Sequence, residues 1–427
     1  MINRLLSFLD SSPVNYLAVA KMEEDLASAG FKKINPSLPI IQAQTGDQFY
    51  VTKNDSSIYA FRIGKKSLAE AGFKLICAHC DSPTFRIKPN PEILKEGILQ
   101  LNTEVYGGAI LSTWFDRPLS IAGRVIVKSD NPLKPETRLL HIKRPLLQIP
   151  NLAIHFNRQV NDGVKLSKQK DMIPVIGIIK DNLEKGNVLL NLIASEINVN
   201  NSDILDFDLY LYDTTPACLF GLNNEFISSG RLDDLSMACA GIDALLNSEA
   251  NDQTQIVAIF DNEETGSGTK QGAASPFLAS IIERIVLAQG DTQDGFYRAI
   301  EQSFMVSADN AHAWHPNYGE KFDPTNHPAM GGGPAIKINA AQKYATDADG
   351  AAVFAEICRL AGVPSQRFVN HSDVAGGSTL GNILTSSLPL RGVDMGAAIW
   401  AMHSVRETGS VDDHIYTVKA FTKFFEV

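Results

Sequence analysis

The sequence predicts an α/β fold that is interrupted by a β-rich insertion. Two apolar runs, FKLICA at residues 73–78 and QIVAIF at residues 255–260, have the length and the β-branched or aromatic content of buried strands. Stretches with apolar residues at helical spacing surround them, at residues 3–30, 235–246, 280–289 and 348–362. Buried strands that alternate with amphipathic helices are typical of α/β proteins.

Helices open the chain and strands follow. Apolar residues between positions 3 and 30 recur at helical intervals, with Pro13 near one helix start and Gly30 at a helix end. Residues 48–52 and 57–63 alternate in polarity or run apolar, which predicts two strands. We therefore expect one or two amphipathic helices, and then strands that lead into the central sheet.

Strand-like segments dominate the region between residues 92 and 229, with few convincing helices. LSIAGRVIV at residues 119–127 is a nearly continuous apolar run, and DFDLYLYD at residues 206–213 alternates between polar and apolar residues. We expect this region to be an inserted β-rich domain. It would divide the other domain into two segments, residues 1–91 and 230–427.

An acidic pair, Glu263-Glu264, follows the second buried strand within the sequence QIVAIFDNEETGSG. In open α/β sheets the carboxyl ends of the strands carry the chemistry. Neighbouring side chains on an extended segment point in opposite directions, so one carboxylate can hold a metal ion while the other transfers a proton. A solvated acidic turn is the ordinary alternative for a pair taken alone. Both carboxylates would repel phosphate, which argues against a nucleotide site in the following glycine-rich turn.

Two further positions place ligand-type side chains at the ends of predicted elements. His79 ends the first buried strand, and Asp81 could accept one imidazole N–H and leave the other nitrogen for a metal. A structural histidine is the alternative for His79 taken alone. Asp233 and Asp234 begin a predicted helix, where one acid suits an N-cap and the other is available for ligation.

Asp309 and His403 also follow predicted strands, at residues 303–307 and from residue 397 onward. The strand-end and helix-start candidates are two imidazoles and four carboxylates: His79, Asp233, Glu263, Glu264, Asp309 and His403. Imidazole together with carboxylate suits zinc or manganese. A two-metal site requires one bridging carboxylate, a histidine and an acid on each ion, and a separate carboxylate that takes a proton from the bridging water. The candidates match that count with none left over.

Composition and charge narrow the class of function. The net charge is -10 and lysine and arginine do not cluster, which argues against nucleic acid or an anionic membrane as a partner. We expect neither a signal peptide nor a transmembrane segment. Five thinly spread cysteines suit reduced thiols and a cytoplasmic location. Cys77 and Cys80 form a C-x-x-C pair inside an apolar strand, so we interpret them as packing residues rather than zinc ligands.

Five blocks of sequence contain most of these candidates. They are HCDSP at 79–83, SGRLDD at 229–234, DNEETGS at 261–267, SADNAHAWHPNY at 307–318 and MHSVRE at 402–407. As a set, and in this order, they resemble the aspartyl aminopeptidase family of co-catalytic zinc exopeptidases. The resemblance implies an α/β fold whose three-layer metallopeptidase core with a mixed sheet is interrupted by an inserted β-rich dimerisation domain.

The resemblance also implies a role for each candidate at the metal centre. It gives two sets of ligands: His79, Asp233 and Asp309 for one ion, and Asp233, Glu264 and His403 for the other. Glu263 would be the general acid and base, and Asp81 the partner of the His79 imidazole. The cofactors would be two divalent metal ions in each subunit, with zinc expected and manganese or cobalt left open.

The implied substrate is a peptide with a free N-terminus, preferably one that begins with Asp or Glu. Lys337 would pair with that acidic side chain, and His312 and His155 would also contact the substrate. His155 lies in the strand-like segment LAIHF and would reach across the dimer interface of a homo-oligomer, a tetrahedral dodecamer built from dimers. Neither nucleic acid nor membrane is expected as a partner.

Two departures from the family pattern and two competing functions remain. Asp234 stands where the family more usually has Asn, and Thr265 where it often has Val, so an extra acid beside Asp233 could shift metal affinity or preference. A two-metal N-acyl amino acid deacylase is the first alternative, and a requirement for a free N-terminal amine separates it from an aminopeptidase. A catalytically dead scaffold is the second, and the presence of all six site residues argues against it.

Overall fold

The computed structural model describes residues 1–41, 43–179 and 187–427, which divide into two compact units. The first unit is Met1–Asp81, Ala217–Met402 and Glu407–Val427, and the second is Ser82–Pro216 and His403–Arg406. Both borders come earlier in the chain than residues 92 and 229, where the sequence suggested them. The strand at Thr84–Lys95 pairs within the second unit, and the strand at Cys218–Phe220 pairs within the first.

Helices form where the sequence shows apolar residues at helical spacing. In the described ranges they are α1 (Ile2–Ser11), α2 (Asn15–Ser28), α3 (Leu68–Ala71), α4 (Val188–Ile197), α5 (Leu232–Asn247), α6 (Phe277–Ala288), α7 (Gln293–Glu301), α8 (Ala348–Leu360), α9 (Leu380–Leu384) and α10 (Val411–Glu426). Capping fixes several of the starts: the Asp347 carboxylate accepts the Gly350 N–H at 2.8 Å and so begins α8. The expectation of one or two N-terminal helices is confirmed, since two form, α1 and α2.

Strands follow the apolar and alternating runs. They are β1 (Lys32–Lys33), β2 (Gln48–Lys53), β3 (Ser57–Arg62), β4 (Phe73–His79), β5 (Thr84–Lys95), β6 (Ile98–Tyr106), β7 (Leu119–Val127), β8 (Glu136–His141), β9 (Val175–Ile178), β10 (Ile204–Asp213), β11 (Cys218–Phe220), β12 (Phe226–Ser229), β13 (Thr254–Phe260), β14 (Phe304–Ala308), β15 (Ala311–His312), β16 (Ala335–Lys337), β17 (Gln366–Phe368), β18 (Arg391–Gly396), β19 (Ala398–Ile399) and β20 (Glu407–Ser410).

A nine-stranded mixed sheet, in the order β1-β2-β3-β13-β4-β14-β18-β16-β17, forms the centre of the first unit. Strand β4 is parallel to both neighbours, β13 and β14, and is buried along its whole length. Its side chains alternate between two cores: Ile76 and Ala78 pack with α1, α2, α5, α8 and α10, whereas Leu75 and Cys77 pack with α3, α6, α7 and α9. The sheet is therefore covered by helices on both faces, which confirms the predicted α/β fold with a mixed sheet.

The second unit contains a six-stranded sheet in the order β8-β7-β10-β5-β6-β9, with antiparallel pairing throughout. Its core includes Phe85, Trp114, Ile121 and Leu211. The prediction of a strand at LAIHF, residues 152–156, is wrong. Residues 154–156 form a turn, in which the apolar side chains lie exposed, with Leu152, Ile154 and Phe156 at 58%, 52% and 81%, and in the described ranges no strand pairs with this segment.

One strand of the first unit was predicted only in part. Of the apolar residues from 397 to 403, only Ala398–Ile399 form a strand, β19, which pairs with β15, whereas the strand that enters the central sheet is β18. Strand β18 was not predicted, because the buried Asp394 interrupts its apolar pattern. That carboxylate accepts hydrogen bonds from the Thr379 hydroxyl at 2.6 Å and the Ala345 N–H at 2.5 Å. In the described ranges, no helix is long and apolar enough to cross a membrane.

Candidate active site

Three parallel strands bring their carboxyl ends to one edge of the central sheet. His79 is the last residue of β4 and pairs in register with Phe260, the last residue of β13. The turn that carries Glu263 and Glu264 therefore begins beside His79. Strand β14 ends on the other side of β4, and Asp309 follows it directly. The sheet thus brings together candidates that are far apart in the sequence.

His79 is buried, and its two ring nitrogens face different carboxylates. Nε2 lies 3.6 Å from Asp233 Oδ1, whereas Nδ1 lies 3.4 Å from Asp81 Oδ1 and 3.1 Å from the Asp81 carbonyl oxygen. Burial disfavours the imidazolium, but hydrogen bonds to Asp233 and Asp81 and the charge of Asp234 outweigh it and hold the pKa of His79 well above its usual value. The imidazole therefore sits in strongly negative surroundings that favour a positive charge.

Asp81 has a second contact that the sequence did not reveal. Its Oδ1 accepts the backbone N–H of Glu263 and its Oδ2 accepts that of Glu264, both at 3.1 Å. One carboxylate therefore orients the imidazole of His79 and fixes the backbone of the acidic turn. No local pattern could have indicated this, because every residue has the same backbone N–H and the partners lie about 180 positions apart.

Asp233 and Asp234 lie at the start of α5 and are joined by a cis peptide bond. Both residues have non-helical backbone angles, so the regular helix begins only after Asp234, and the N-cap role expected for one of them stays a prediction. Asp234 is fully buried, its Oδ2 accepts the backbone N–H of His79 at 3.1 Å, and its Oδ1 has no hydrogen-bond partner among the described residues. The Asp233 N–H donates to Glu407 Oε2 at 3.0 Å. Glu407 closes the MHSVRE block, but its residue type alone gave no indication of this role.

The side chains at this edge fit a divalent cation. Ligand atoms of His79, Asp233 and Asp234 lie within 4.8 Å of one another, and so do those of His79, Glu263 and Glu264. Imidazole nitrogen and carboxylate oxygen are the donors that zinc and manganese accept. The unpartnered buried Oδ1 of Asp234 adds a negative atom that only a cation or a proton would satisfy.

The pKa shifts of the carboxyl groups at this edge also favour a bound cation. Burial raises the pKa of Glu263 to about 8; His79 opposes this rise, while the charges of Asp309, Glu264 and Asp233 add to it. Burial raises the pKa of Asp234 well above its usual value as well. Several carboxylates in a poorly solvated space require compensating positive charge, which divalent metal ions would supply.

Asp309 makes an ion pair with Lys337. The ammonium of Lys337 lies 3.0 Å from Asp309 Oδ1, and 5.7 Å from the centre of the Tyr344 ring. Lys337 is buried at the end of β16. Burial alone would lower its pKa, but the charge of Asp309 and the hydrogen bond to it contribute to a net rise above the usual value, so the side chain stays cationic. His312 ends β15 as an exposed residue, with its ring 5.9 Å from that of Phe368.

Two predicted site residues belong to the second unit. The His403 ring places Nδ1 3.2 Å from the Gly108 carbonyl oxygen, and the His403 carbonyl accepts the Ile110 N–H at 3.0 Å. His155 lies in the exposed turn at residues 154–156. Metal ligation by His403 and substrate contact by His155 stay predictions.

Comparison with known proteins gives one consistent result. The family model described as aminopeptidase I zinc metalloprotease (M18) matches residues 8–425. A probable M18 family aminopeptidase 2 of Clostridium acetobutylicum is 52% identical over 425 residues, which is 99% of this chain and 98% of that protein.

Solved structures agree. A chain in the cryo-EM structure of the Ape4 and Nbr1 complex has a TM-score of 0.96 and 38% identity, covering 99% of this chain and 85% of that one. The S. cerevisiae mApe1 dodecamer has a TM-score of 0.86 and 28% identity, covering 99% and 96%.

Proposed function

This chain belongs to the M18 family of zinc aminopeptidases, and from that premise we propose that it removes acidic residues, Asp or Glu, from the N-termini of peptides. The observation that carries the proposal is the group of His79, Asp233, Glu263 and Glu264 at one sheet edge, with Asp81 bound to the turn between them. The buried Lys337, which pairs with Asp309, supports the acidic preference.

The chain offers residues for two metal ions. We propose His79, Asp233 and Asp309 for one ion, and Asp233, Glu264 and His403 for the other. Bound divalent metals lower the pKa of a water molecule and polarise a carbonyl oxygen. Glu263 takes a proton from the attacking water and delivers it to the leaving amine. The backbone N–H groups of Glu263 and Glu264 donate hydrogen bonds to Asp81, and these hold the turn that carries the Glu263 carboxylate in place during both proton transfers.

Specificity for an acidic N-terminal residue rests on Lys337. Its ammonium is buried and keeps its charge, so a substrate carboxylate that approaches it would gain more than it would from a solvated lysine. We expect Lys337→Ala to lower kcat/KM for Asp and Glu substrates at least tenfold more than for Ala and Leu substrates. Exposed Lys343, which donates to the Gly376 carbonyl at 2.9 Å, provides the matched control Lys343→Ala.

The metal content of Lys337→Ala must be measured in the same preparation, because the substitution leaves Asp309 without its ion pair. Equal losses on all four substrates, with the metal retained, would refute the specificity role. A panel of aminoacyl chromogenic substrates, with N-acetylated versions as controls, also tests the class of reaction. Hydrolysis of the blocked substrates would favour the alternative deacylase.

We further propose that the enzyme works as a homo-oligomer, a dodecamer built from dimers, in which His155 contributes to the partner's site. In the second unit the exposed apolar side chains of Leu152, Ile154 and Phe156 flank His155, which suits a contact surface. One similar solved structure is named a dodecamer. Native mass spectrometry measures the assembly directly.

A mixing experiment tests His155. The single variants His155→Ala and Glu263→Gln should each be nearly inactive, whereas a mixed dimer would contain one site with both intact residues. Activity should therefore partly return after dissociation and joint reassembly. No recovery in assemblies shown by mass to be mixed would place His155 outside the partner's site.

A cytoplasmic location remains part of the proposal. In the part of the chain that the structure describes, no cysteine forms a disulfide, and four of the five are buried. Thiols outside disulfides suit a reducing compartment. Fractionation of cells that express the protein without a tag measures the location.

A further inference from the structure

A run of three glycines, Gly331–Gly333, leads into β16, and two of the three have close neighbours where a side chain would begin. Gly331 and Gly333 have φ values of +80° and +86°, which residues with a Cβ rarely adopt. A Cβ on Gly332 would lie 2.5 Å from the Gln366 side chain, and one on Gly333 would lie 2.2 Å from the Pro364 carbonyl oxygen. The backbone of this loop is therefore packed directly against its neighbours.

Asp413, in the first turn of α10, binds the loop with both of its oxygens. Oδ2 accepts the N–H of Gly331 and Oδ1 accepts the N–H of Gly333, each at 2.7 Å. Both distances are typical of hydrogen bonds to a charged acceptor. A single side chain, 80 residues away in the sequence, therefore fixes two points of the glycine loop.

The charge of Asp413 has little other compensation. The side chain is fully buried, and no cationic residue that the structure describes pairs with it. Burial raises the pKa of Asp413 to about 7, and the two glycine N–H groups oppose that rise. The N-terminal end of α10 adds a favourable dipole. The carboxylate and the loop N–H groups therefore satisfy one another.

The same loop connects Asp413 to the candidate active site. Strand β16 begins at Ala335, just after the glycines, and ends at Lys337. A second clamp acts on the loop from β17, because the Gln366 side chain accepts the Ala329 N–H at 2.8 Å and donates to the Gly333 carbonyl at 3.0 Å. The position at which β16 starts is thus set by Asp413 and Gln366.

We infer that Asp413 is a positioning residue: by holding the glycine loop it fixes β16 and keeps the Lys337 ammonium against Asp309 and toward the substrate. The inference rests on the proposed role of Lys337 in binding an acidic N-terminal residue. Asp413 itself touches no candidate metal ligand or reacting group. Its effect on the reaction passes through the backbone of Gly331–Gly333.

The test compares Asp413→Asn with Asp412→Asn in the full-length, metal-loaded enzyme. Asp412 is the exposed neighbour in the same helical turn, so the control removes the same charge without touching the loop. Asparagine at position 413 has one acceptor oxygen and presents an N–H₂ group to the second glycine N–H. We expect hydrogen exchange in residues 329–337 to rise at least tenfold, and KM for Asp and Glu substrates to rise about tenfold with kcat and metal content little changed.

A purely structural role would give a different result. It would lower the melting temperature and the active fraction, and so kcat, while KM and exchange at residues 329–337 matched those of Asp412→Asn. That outcome overturns the inference. Gly332→Ala guards against a variant that does not fold, because it displaces only the flexible Gln366 side chain and should reproduce the rise in exchange and in KM. Unchanged KM in Gly332→Ala, despite faster exchange, would also overturn it.

The outcome is separable from that of the proposed function. If Lys337→Ala affects all substrates equally, the acidic preference fails. Faster exchange together with a raised KM on every substrate in Asp413→Asn would then still support positioning. If Lys337→Ala is selective for acidic substrates but Asp413→Asn behaves like Asp412→Asn, the preference stands and the positioning inference fails.

Discussion

Replacing Glu263 by glutamine separates the proton-transfer role from the metal-binding role at this site. The backbone of the turn should not move, because the N–H groups of Glu263 and Glu264 both bind Asp81 at 3.1 Å and glutamine keeps the size of the side chain. Only the ability to take up a proton is removed. Glu264→Gln is the matched control, since it makes the same chemical change at the next residue.

The expected magnitude follows from two estimates. Loss of a general base lowers turnover by about 10²- to 10⁴-fold, which is roughly 3–5 kcal/mol of activation free energy. The rise in the pKa of Glu263 from 4.5 to about 8 corresponds to roughly 5 kcal/mol against its charged form when no cation is present. A neutral glutamine avoids that penalty. The folded state of metal-depleted Glu263→Gln should therefore gain stability over wild type as pH rises from 4.5 to 8.

The assay measures kcat, metal stoichiometry by mass spectrometry, and the melting temperature of each purified variant. We expect Glu263→Gln to lose turnover while keeping its metal, and Glu264→Gln to lose part of its metal. Loss of metal in Glu263→Gln, or turnover within tenfold of wild type, would refute the assignment. A melting temperature well below that of wild type would show that the turn had been disturbed.

Three more predictions concern buried groups. Asp81→Ala removes the acceptor of two partly buried N–H groups and should lower the unfolding free energy by about 2–4 kcal/mol, measured in urea, together with kcat; an unfolding free energy equal to that of wild type would contradict a stabilising role for the two hydrogen bonds. Asp234→Asn should weaken zinc binding about 10- to 100-fold in chelator competition, as for partners that orient a ligand; unchanged affinity would contradict it. Burial lowers the pKa of His414 to about 4, so its stability contribution is present above pH 6.5 and falls as pH drops toward 4. His414→Leu should flatten that loss, by roughly 3 kcal/mol, in pH-dependent melting curves, whereas exposed His327→Gln should not.

Strand positions were readable from the sequence where the strand residues are mostly apolar. Strands β4 and β13 are buried on both faces because helices cover both sides of the sheet, so each appeared as a nearly continuous apolar run, interrupted by Lys74 in β4 and Gln255 in β13. Strand β18 was missed for the converse reason, since its buried Asp394 is satisfied by Thr379 and Ala345 from distant segments. The segment at residues 152–156 failed differently, because its apolar residues are exposed and apolarity by itself does not imply pairing.

The sequence by itself determined which residue types stand at the ends of the strands and, through the five blocks, the family to which the chain belongs. Parallel strands then place those ends at one edge, so the grouping of His79 with Glu263 followed from topology. Only the tertiary structure decided which carboxylates bind backbone N–H groups: Asp81 at the acidic turn, Glu407 at Asp233 and Asp413 at the glycine loop. Side-chain periodicity is a local property of the chain, whereas a backbone N–H is the same at every non-proline residue. The partner of such a carboxylate is therefore fixed by packing alone.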